Sequence, residues 1–407
     1  MKSICLIALI LCLLLFAGAV SAETTIMVVS DLHYLSPSLY EGSDLFLRSI
    51  AKGDGKMTHR SDVLLNAMIA QAERIHPDLL LLTGDLSFNG EKQSHLELAQ
   101  ALEPLLHQGI QVYVIPGNHD INVTSAFSFS GETYRLTDSV TADEFRAIYQ
   151  DYLGAPGDNS IGISYTVSVK NAIDVCMLDC AFYEPVAYTF GLLDEARATW
   201  FEEEAARAES AGRLFLSATH HSVIPHSSLW KENFVILNAE RIVSTLSRHN
   251  AHLTLSGHLH IQHIAESNGV YDIASGAFSV FPHHYGLITI ADDRQITYQA
   301  YSPDTDLLPG QFMEESEAWF RGTNHTKMQS SLEELGLESK TAETMLQYSD
   351  DLNVAYFSGT LRQNDTRWKE AEGYHLWMDY SEKLGFAQYL DLVLSEASPD
   401  SLSLSIP

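Results

Sequence analysis

Positively charged residues are scarce in this chain. Of its 407 residues, 24 are Lys or Arg and 53 are Asp or Glu, which gives a formal net charge of −29 at pH 7. A field of that sign repels the phosphates of a polynucleotide, so we do not expect duplex nucleic acid as a partner. The acidity does not exclude a small anionic substrate, because bound divalent cations reverse the potential inside a pocket.

Cysteine is also rare, with four residues in the whole chain. Two of them, Cys5 and Cys12, lie in the N-terminal apolar segment, which leaves Cys176 and Cys180. On an extended strand these two would be about 13 Å apart at ~3.3 Å per residue. A disulfide spans at most about 7 Å between Cα atoms. We therefore expect two buried thiols and no disulfide framework.

Internal repeats, low-complexity tracts and charge runs are absent from the sequence, and its long apolar run lies at the N-terminus. Lys2 precedes an apolar stretch over residues 4–16, and small residues then lead to Ala22 and Glu23. This layout is typical of a secretory signal and predicts cleavage after Ala22 and export to the cell envelope or beyond. An uncleaved membrane anchor stays open, although the run is shorter than the ~20 residues that a stable span needs.

The predicted secondary structure of the rest of the chain changes once, near residue 302. Between residues 24 and 300, short strand-like apolar runs alternate with amphipathic helical stretches, which is typical of a layered α/β domain. After the turn-rich "SPDTDLLPG", the sequence has a helical period. Two long polar segments, 34–60 and 121–140, are predicted to be loops. The sequence thus predicts three parts, which are a signal peptide at 1–22, an α/β domain at 23–302 and a helical region at 303–407.

Five of the apolar runs are followed directly by polar side chains that can bind metal. These side chains are Asp31 and His33 in "DLH", Asp85 in "GD", Asn118, His119 and Asp120 in "GNHD", His220 in "HH", and His258 and His260 in "GHLH". The carboxyl ends of strands in open α/β sheets share one crevice. Carboxylate, carboxamide and imidazole together suit Mn, Fe or Zn, whereas Mg and Ca prefer oxygen alone. The sequence therefore predicts a metal site at this edge.

The spacing within the motifs supports that prediction. The two donors in "DLH" and the two in "GHLH" are at positions i and i+2, which lie on one side of an extended backbone. Glycines before Asp85, Asn118 and His258 permit sharp turns and close backbone approach. A single "GD" occurs by chance in most proteins of this size. All five motifs in this order, each behind an apolar run, are far more specific.

The motif series DLH, GD, GNHD, H and GHLH resembles the calcineurin-like metallophosphoesterase superfamily over nearly all of residues 24–300. The resemblance implies a two-metal hydrolase with a four-layer α/β/β/α sandwich, followed here by a C-terminal helical appendage. It implies one metal held by Asp31, His33, Asp85 and His260, and a second held by Asp85, Asn118, His220 and His258. Asp85 would bridge the two ions. The family's catalytic histidine that is not a ligand falls on His119, with Asp120 placed to orient it.

Two positions distinguish between the branches of this superfamily that the sequence could resemble. His33 and Phe88 stand where the purple acid phosphatase branch has glycine and an iron-binding tyrosine. Phenylalanine has no ligating atom, so we do not expect a purple ferric centre. The DxH form, with "GDLSFNGEKQSH" and "GNHD", is more similar to the bacterial cyclic-nucleotide-phosphodiesterase-like group.

The favoured function is an exported phosphodiesterase with two divalent metal ions, Mn, Fe or Zn. In such a site, a hydroxide shared by the metals attacks phosphorus in line. A phosphomonoesterase, a nucleotidase or a phospholipid-headgroup hydrolase would use the same residues and stays open. A binding scaffold without chemistry is the third hypothesis, but every ligand position of the family pattern is filled.

Overall fold

The computed structural model describes residues 23–154, 160–170, 172–333 and 335–407. The predicted signal peptide at 1–22 lies outside the described residues. Within the described ranges, no helix combines the length and the apolar character needed to cross a membrane.

The described chain alternates strands and helices up to about residue 300 and is mainly helical afterwards. The strands are β1 (Thr24–Val29), β2 (Leu79–Thr83), β3 (Gln111–Ile115), β4 (Phe127–Ser130), β5 (Thr133–Leu136), β6 (Ser160–Ile161), β7 (Ser164–Val169), β8 (Ile173–Met177), β9 (Leu214–Ala218), β10 (Leu253–Ser256), β11 (His263–Ser267), β12 (Val270–Ala274), β13 (Tyr285–Ile290), β14 (Ile296–Tyr301) and β15 (Ser403–Ile406). The α-helices are α1 (Asp44–Ile50), α2 (Ser61–Ile75), α3 (Lys92–His107), α4 (Ala142–Ile148), α5 (Glu195–Ser210), α6 (Ala239–Arg248), α7 (Phe312–Glu333), α8 (Ser339–Phe357), α9 (Arg367–Glu370), α10 (Glu372–Asp379) and α11 (Gly385–Ser395).

Two sheets carry the fold. The first has six strands in the order β15-β14-β13-β1-β2-β3, and its members β1, β2 and β3 run parallel. The second has seven strands in the order β11-β12-β10-β9-β8-β7-β6, and its members β12, β10, β9 and β8 run parallel. Strands β4 and β5 form a separate hairpin. Parallel strands need both faces covered, so the continuous apolar runs seen in the sequence are expected here.

Successive residues of β1 show how the layers stack. Ile26 and Val28 belong to the core between the two sheets, where Leu216 and Leu255 of the second sheet meet them. Met27 and Val29 point to the opposite face, which helices α2 and α3 cover. Helices α5 and α6 cover the outer face of the second sheet in the same way. The predicted four-layer α/β/β/α architecture is confirmed.

The C-terminal helices form a core of their own that extends to the motif loops. Met345, Leu352, Trp377 and Leu390 are fully buried in it. Leu259, from "GHLH", is buried in the same cluster. The helical character predicted after residue 302 is therefore correct, and the predicted boundary at 302/303 stays a prediction.

Two features differ from the sequence-based expectations, and a third agrees with them. The chain ends in strand β15, which pairs antiparallel with β14 at the edge of the first sheet, although little strand signal was expected after residue 302. The segments predicted as loops contain α1 and the β4–β5 hairpin, because Phe46 and Phe129 pack together in a small buried cluster. Cys176 and Cys180 are both buried thiols, as expected.

The C-terminal core gives a testable stability difference. Trp377 is fully buried and its indole N–H donates to the Met345 carbonyl at 2.8 Å. We expect Trp377→Ala to lower the free energy of unfolding by about 3–5 kcal/mol, because it leaves a large cavity. Trp368→Ala is the matched control, since Trp368 is only partly buried in the same cluster. Chemical denaturation measures both, and equal losses would contradict the prediction.

Candidate metal centre

The loops after β1, β2, β9 and β10 bring their polar residues together between the two sheets. Ligand atoms of four of these residues lie within 4.8 Å of one another in a first cluster, which comprises Asp31, His33, Asp85 and His260. A second cluster with the same spacing comprises Asp85, His220 and His258. Asp85 belongs to both clusters. Strands from different sheets thus deliver their carboxyl ends to one place.

In the first cluster, nitrogen and oxygen atoms with lone pairs face each other. His33 Nε2 lies 3.2 Å from His260 Nε2 and 3.6 Å from Asp85 Oδ2. His260 Nε2 lies 3.3 Å from Asp31 Oδ1. Asp31, His33 and Asp85 are almost completely buried. Buried carboxylates are costly unless they are paired or bind a metal, so this donor set fits a divalent cation.

The second cluster is built around His220. Its Nε2 lies 3.3 Å from Asp85 Oδ1 and 3.2 Å from Asn118 Oδ1, while its Nδ1 contacts the Thr83 carbonyl at 2.9 Å. His258 Nε2 lies 3.0 Å from the Asn233 carbonyl. A carbonyl on one ring nitrogen fixes the orientation and tautomer of a ligating histidine. The carboxamide of Asn118 completes the second donor set that the sequence predicts.

The electrostatics of these groups match metal binding. Burial alone would raise the pKa of Asp85, but His220 and His119 hold it well below its usual range. Burial lowers the pKa of His33 and of His258, which keeps both rings neutral. The pKa of His220 rises to about 9 because Asp85 outweighs the effect of burial. Metal ligands must be deprotonated, so a cation that binds His220 displaces a proton.

The ligand loops hold strained backbone. Five predicted ligands have positive φ angles, which are 55° for Asp31, 43° for His33, 49° for Asp85, 65° for His258 and 59° for His260. Such residues cost on the order of 1–3 kcal/mol each and cluster at functional sites. The expected extended backbone in "DLH" and "GHLH" is therefore wrong. With the chain turning at both positions, Asp31 and His33 reach the same cluster, whereas His258 and His260 reach different clusters.

His119 lies next to both clusters without belonging to either. Its backbone N–H donates to Asp85 Oδ1 at 2.8 Å, and its ring packs edge-on to His33 with centroids 5.0 Å apart. His119 Nδ1 lies 3.0 Å from the Phe88 carbonyl and 2.9 Å from Asn89 Oδ1. These two oxygens fix the orientation of the ring through Nδ1.

Asp120 does not make the contact with the His119 ring that the sequence analysis expected of it. Its carboxylate accepts hydrogen bonds from the backbone N–H groups of Leu86, Ser87 and Gly117, at 3.1, 2.9 and 2.8 Å. Asp120 therefore joins the "GD" loop to the "GNHD" loop. The orienting contact belongs to the Phe88 carbonyl and to Asn89 Oδ1, and the sequence motif that contains both residues does not reveal this role.

A further carboxylate reaches the first cluster from the segment before α2. Asp54 accepts a hydrogen bond from His260 Nδ1, and Lys56 Nζ lies 3.5 Å from its other oxygen. A carboxylate on the second nitrogen of a ligating histidine orients the ring and raises its basicity. Asp54 lies in the segment 34–60, which the sequence predicts to be a loop. Nothing in the local sequence links it to His260.

Comparison with known proteins agrees with this geometry. A model of the family described as "Calcineurin-like phosphoesterase" matches residues 24–262. A second model, the "C-terminal domain of cyclic nucleotide phosphodiesterase", matches residues 297–400. The chain belongs to the calcineurin-like phosphoesterase family. It is a metal-dependent phosphoester hydrolase with the C-terminal domain of the cyclic nucleotide phosphodiesterase branch.

Similar proteins carry related names. The chain is 25% identical over 224 residues to a "Probable cyclic nucleotide phosphodiesterase" of Vesicomyosocius okutanii, covering 55% of this chain and 78% of the relative. It is 25% identical over 214 residues to a "3',5'-cyclic-nucleotide phosphodiesterase" of Nostoc, covering 51% of this chain and 66% of the relative. A dimetal phosphatase from Danio rerio of known structure is 14% identical, with a TM-score of 0.48 and coverage of 69% of this chain and 96% of that one.

The backbone at Gly117 lies so close to the predicted ligands that we expect substitution of this glycine to weaken metal binding. A Cβ on Gly117 would collide with Asp85 and would lie 2.8 Å from His220 Nε2. We expect Gly117→Ala to weaken metal binding about 10- to 100-fold, the usual cost of disturbing the surroundings of a ligand. Gly322→Ala is the control, because its Cβ would meet nothing within 4 Å. Calorimetric metal titration measures both variants. Unchanged metal affinity in Gly117→Ala would refute the close approach of Gly117 to Asp85 and His220.

Proposed function

We propose that this protein is an exported phosphodiesterase that holds two divalent cations in the two clusters and hydrolyses a small phosphodiester. The observation that carries the proposal is Asp85, a buried carboxylate shared by two sets of converging donors. Export rests on the signal-like pattern of residues 1–22 and cleavage after Ala22. N-terminal sequencing of the exported protein tests that part by itself.

The donor sets indicate the kind of cation. Four of the seven ligand positions are histidines and none is a thiolate, which favours Mn, Fe or Zn over Mg or Ca. Cations held by these residues would supply an activated water and a counter-charge for the phosphoryl oxygens. Asp85 keeps the two sites adjacent.

His119 is the group that we propose for proton transfer. Phe88 and Asn89 occupy its Nδ1, and its backbone N–H holds it beside Asp85. Its Nε2 is then the nitrogen that stabilises charge on the phosphoryl group or protonates the leaving alkoxide. This role needs the ring in one fixed orientation, which the two oxygens on Nδ1 provide.

Cyclic nucleotides are the phosphodiesters that we propose as the substrate class. The relatives described above carry the names of a probable cyclic nucleotide phosphodiesterase and a 3',5'-cyclic-nucleotide phosphodiesterase, and a C-terminal domain named for the same activity matches residues 297–400. The net charge of −29 disfavours long polyanions, which agrees with a small diester.

Metal analysis and a substrate panel test the proposal together. We expect about two metal ions per chain after loading with Mn or Zn, as in other two-metal hydrolases. The panel contains 3',5'-cyclic AMP, 2',3'-cyclic AMP, bis-para-nitrophenyl phosphate and the para-nitrophenyl monoester. Faster hydrolysis of the diesters supports the proposal, whereas a preference for the monoester favours a phosphatase. Metal binding without turnover of any substrate would support a scaffold.

Substitution of the proposed proton donor gives a separate test. We expect His119→Ala to keep both metals and to lose about 10²- to 10⁴-fold in turnover number, because proton transfer is lost. His107→Ala is the control, since His107 is an exposed histidine at the end of α3. Wild-type turnover in His119→Ala would remove this residue from the mechanism.

A further inference from the structure

Lys56 brings a positive charge to the edge of the first cluster. Its side chain is only 16% exposed, and its Nζ lies 3.5 Å from Asp54 Oδ1. The other oxygen of Asp54 accepts the hydrogen bond from His260 Nδ1. The ammonium is thus one carboxylate away from a predicted metal ligand.

The charge of Lys56 affects the pKa of three histidines around the predicted metal centre. Burial lowers the pKa of His33 most, and the charge of Lys56 makes the second largest contribution in the same direction. Lys56 also acts to lower the pKa of His119 and of His260, after the larger effects of burial and of Asp85 or Asp54. These three histidines follow three different strands, and each of them is within electrostatic reach of the ammonium.

Asp54 alone does not account for this lysine. An ammonium and a carboxylate in a direct hydrogen bond are about 2.7–2.9 Å apart. The distance here is 3.5 Å, and Asp54 already pairs with His260. Lys56 and Asp54 Oδ1 therefore form an ion pair without a direct hydrogen bond, which leaves the N–H groups of the ammonium able to bind a further anion. Its position is explained if a second anion, bound at the metals, shares it.

The C-terminal helical region holds the lysine in place. The indole N–H of Trp319, on α7, donates to the Lys56 carbonyl at 3.1 Å. Gly55 lies against Phe320 so closely that a Cβ would approach Phe320 Cδ2 to 2.6 Å. On the other side, the Met57 N–H donates to the Ser279 carbonyl at 2.8 Å. The segment is therefore fixed between α7 and the chain that follows β12.

We propose that Lys56 binds the phosphoryl oxygens of the substrate beside the two metals, and that Trp319 is a positioning residue for it. The inference rests on the proposed phosphoester hydrolysis and deepens it. It also gives the C-terminal region a function in substrate binding. An ammonium there complements the charge of a phosphodiester, which increases at the phosphoryl oxygens and leaving group during the reaction.

Lys56→Met in the full-length, metal-loaded protein tests the proposal, because methionine keeps the apolar stem and removes the charge. We expect the dissociation constant for inorganic phosphate, measured by calorimetry, to rise about tenfold, as is usual for the loss of a charge-assisted hydrogen bond. The KM for bis-para-nitrophenyl phosphate is expected to rise similarly. Metal content and the unfolding midpoint should stay at wild-type values.

Three further variants sharpen the test. Lys56→Arg keeps the charge and should recover most of the phosphate affinity. Lys52→Met, in the same segment but at an exposed position, should match the wild type. Trp319→Phe keeps an aromatic ring but removes the N–H, and we expect it to weaken phosphate binding by a smaller factor at unchanged metal content.

The outcomes separate this inference from the proposed function. Unchanged phosphate affinity in Lys56→Met, or a loss that follows loss of metal, shows a purely structural lysine and overturns the inference. Failure of the wild type to bind phosphate overturns it as well. Phosphate binding that depends on Lys56, in a protein that hydrolyses no phosphoester, would overturn the hydrolase and leave the phosphate-binding role intact.

Discussion

The burial of Asp85 is the constraint on which the rest of the site depends. Asp85 is 1% exposed, and its backbone is in the left-handed region. Its carboxylate faces His33 on one side and His220 on the other. A buried anion among imidazoles is costly unless cations share it. The two sheets meet so that both donor sets reach this one residue, and Asp120 joins the loops behind it.

The C-terminal helices belong to the same arrangement. Their core includes Leu259, which lies between His258 and His260 in the chain, so the packing of this region fixes the loop that bears two predicted ligands. Helix α7 also supports the segment that carries Asp54 and Lys56. The region that shares no motif with the ligand series therefore supports the metal centre from two directions.

Much of the architecture could be predicted because apolar periodicity and strand-end motifs are local signals. The parallel strands, the covering helices and the donors that form the two clusters follow from them. The backbone of "DLH" and "GHLH" could not be predicted, because spacing does not distinguish an extended segment from one with left-handed residues. The contacts of Asp120 were misjudged for a related reason, since His119 is oriented by a carbonyl of Phe88, and a backbone atom leaves no mark in a sequence.

The chemistry of the site follows from residue types that can be read in the chain. The sequence places carboxylate, carboxamide and imidazole groups, and no thiolate, behind strands whose apolar character buries them. The other groups that support these ligands depend on how the chain packs in three dimensions. Asp54, Lys56 and strand β15 meet their partners across more than a hundred residues of chain. Contacts of that kind have no period and no motif, because they depend on the packing of whole layers rather than on neighbouring residues.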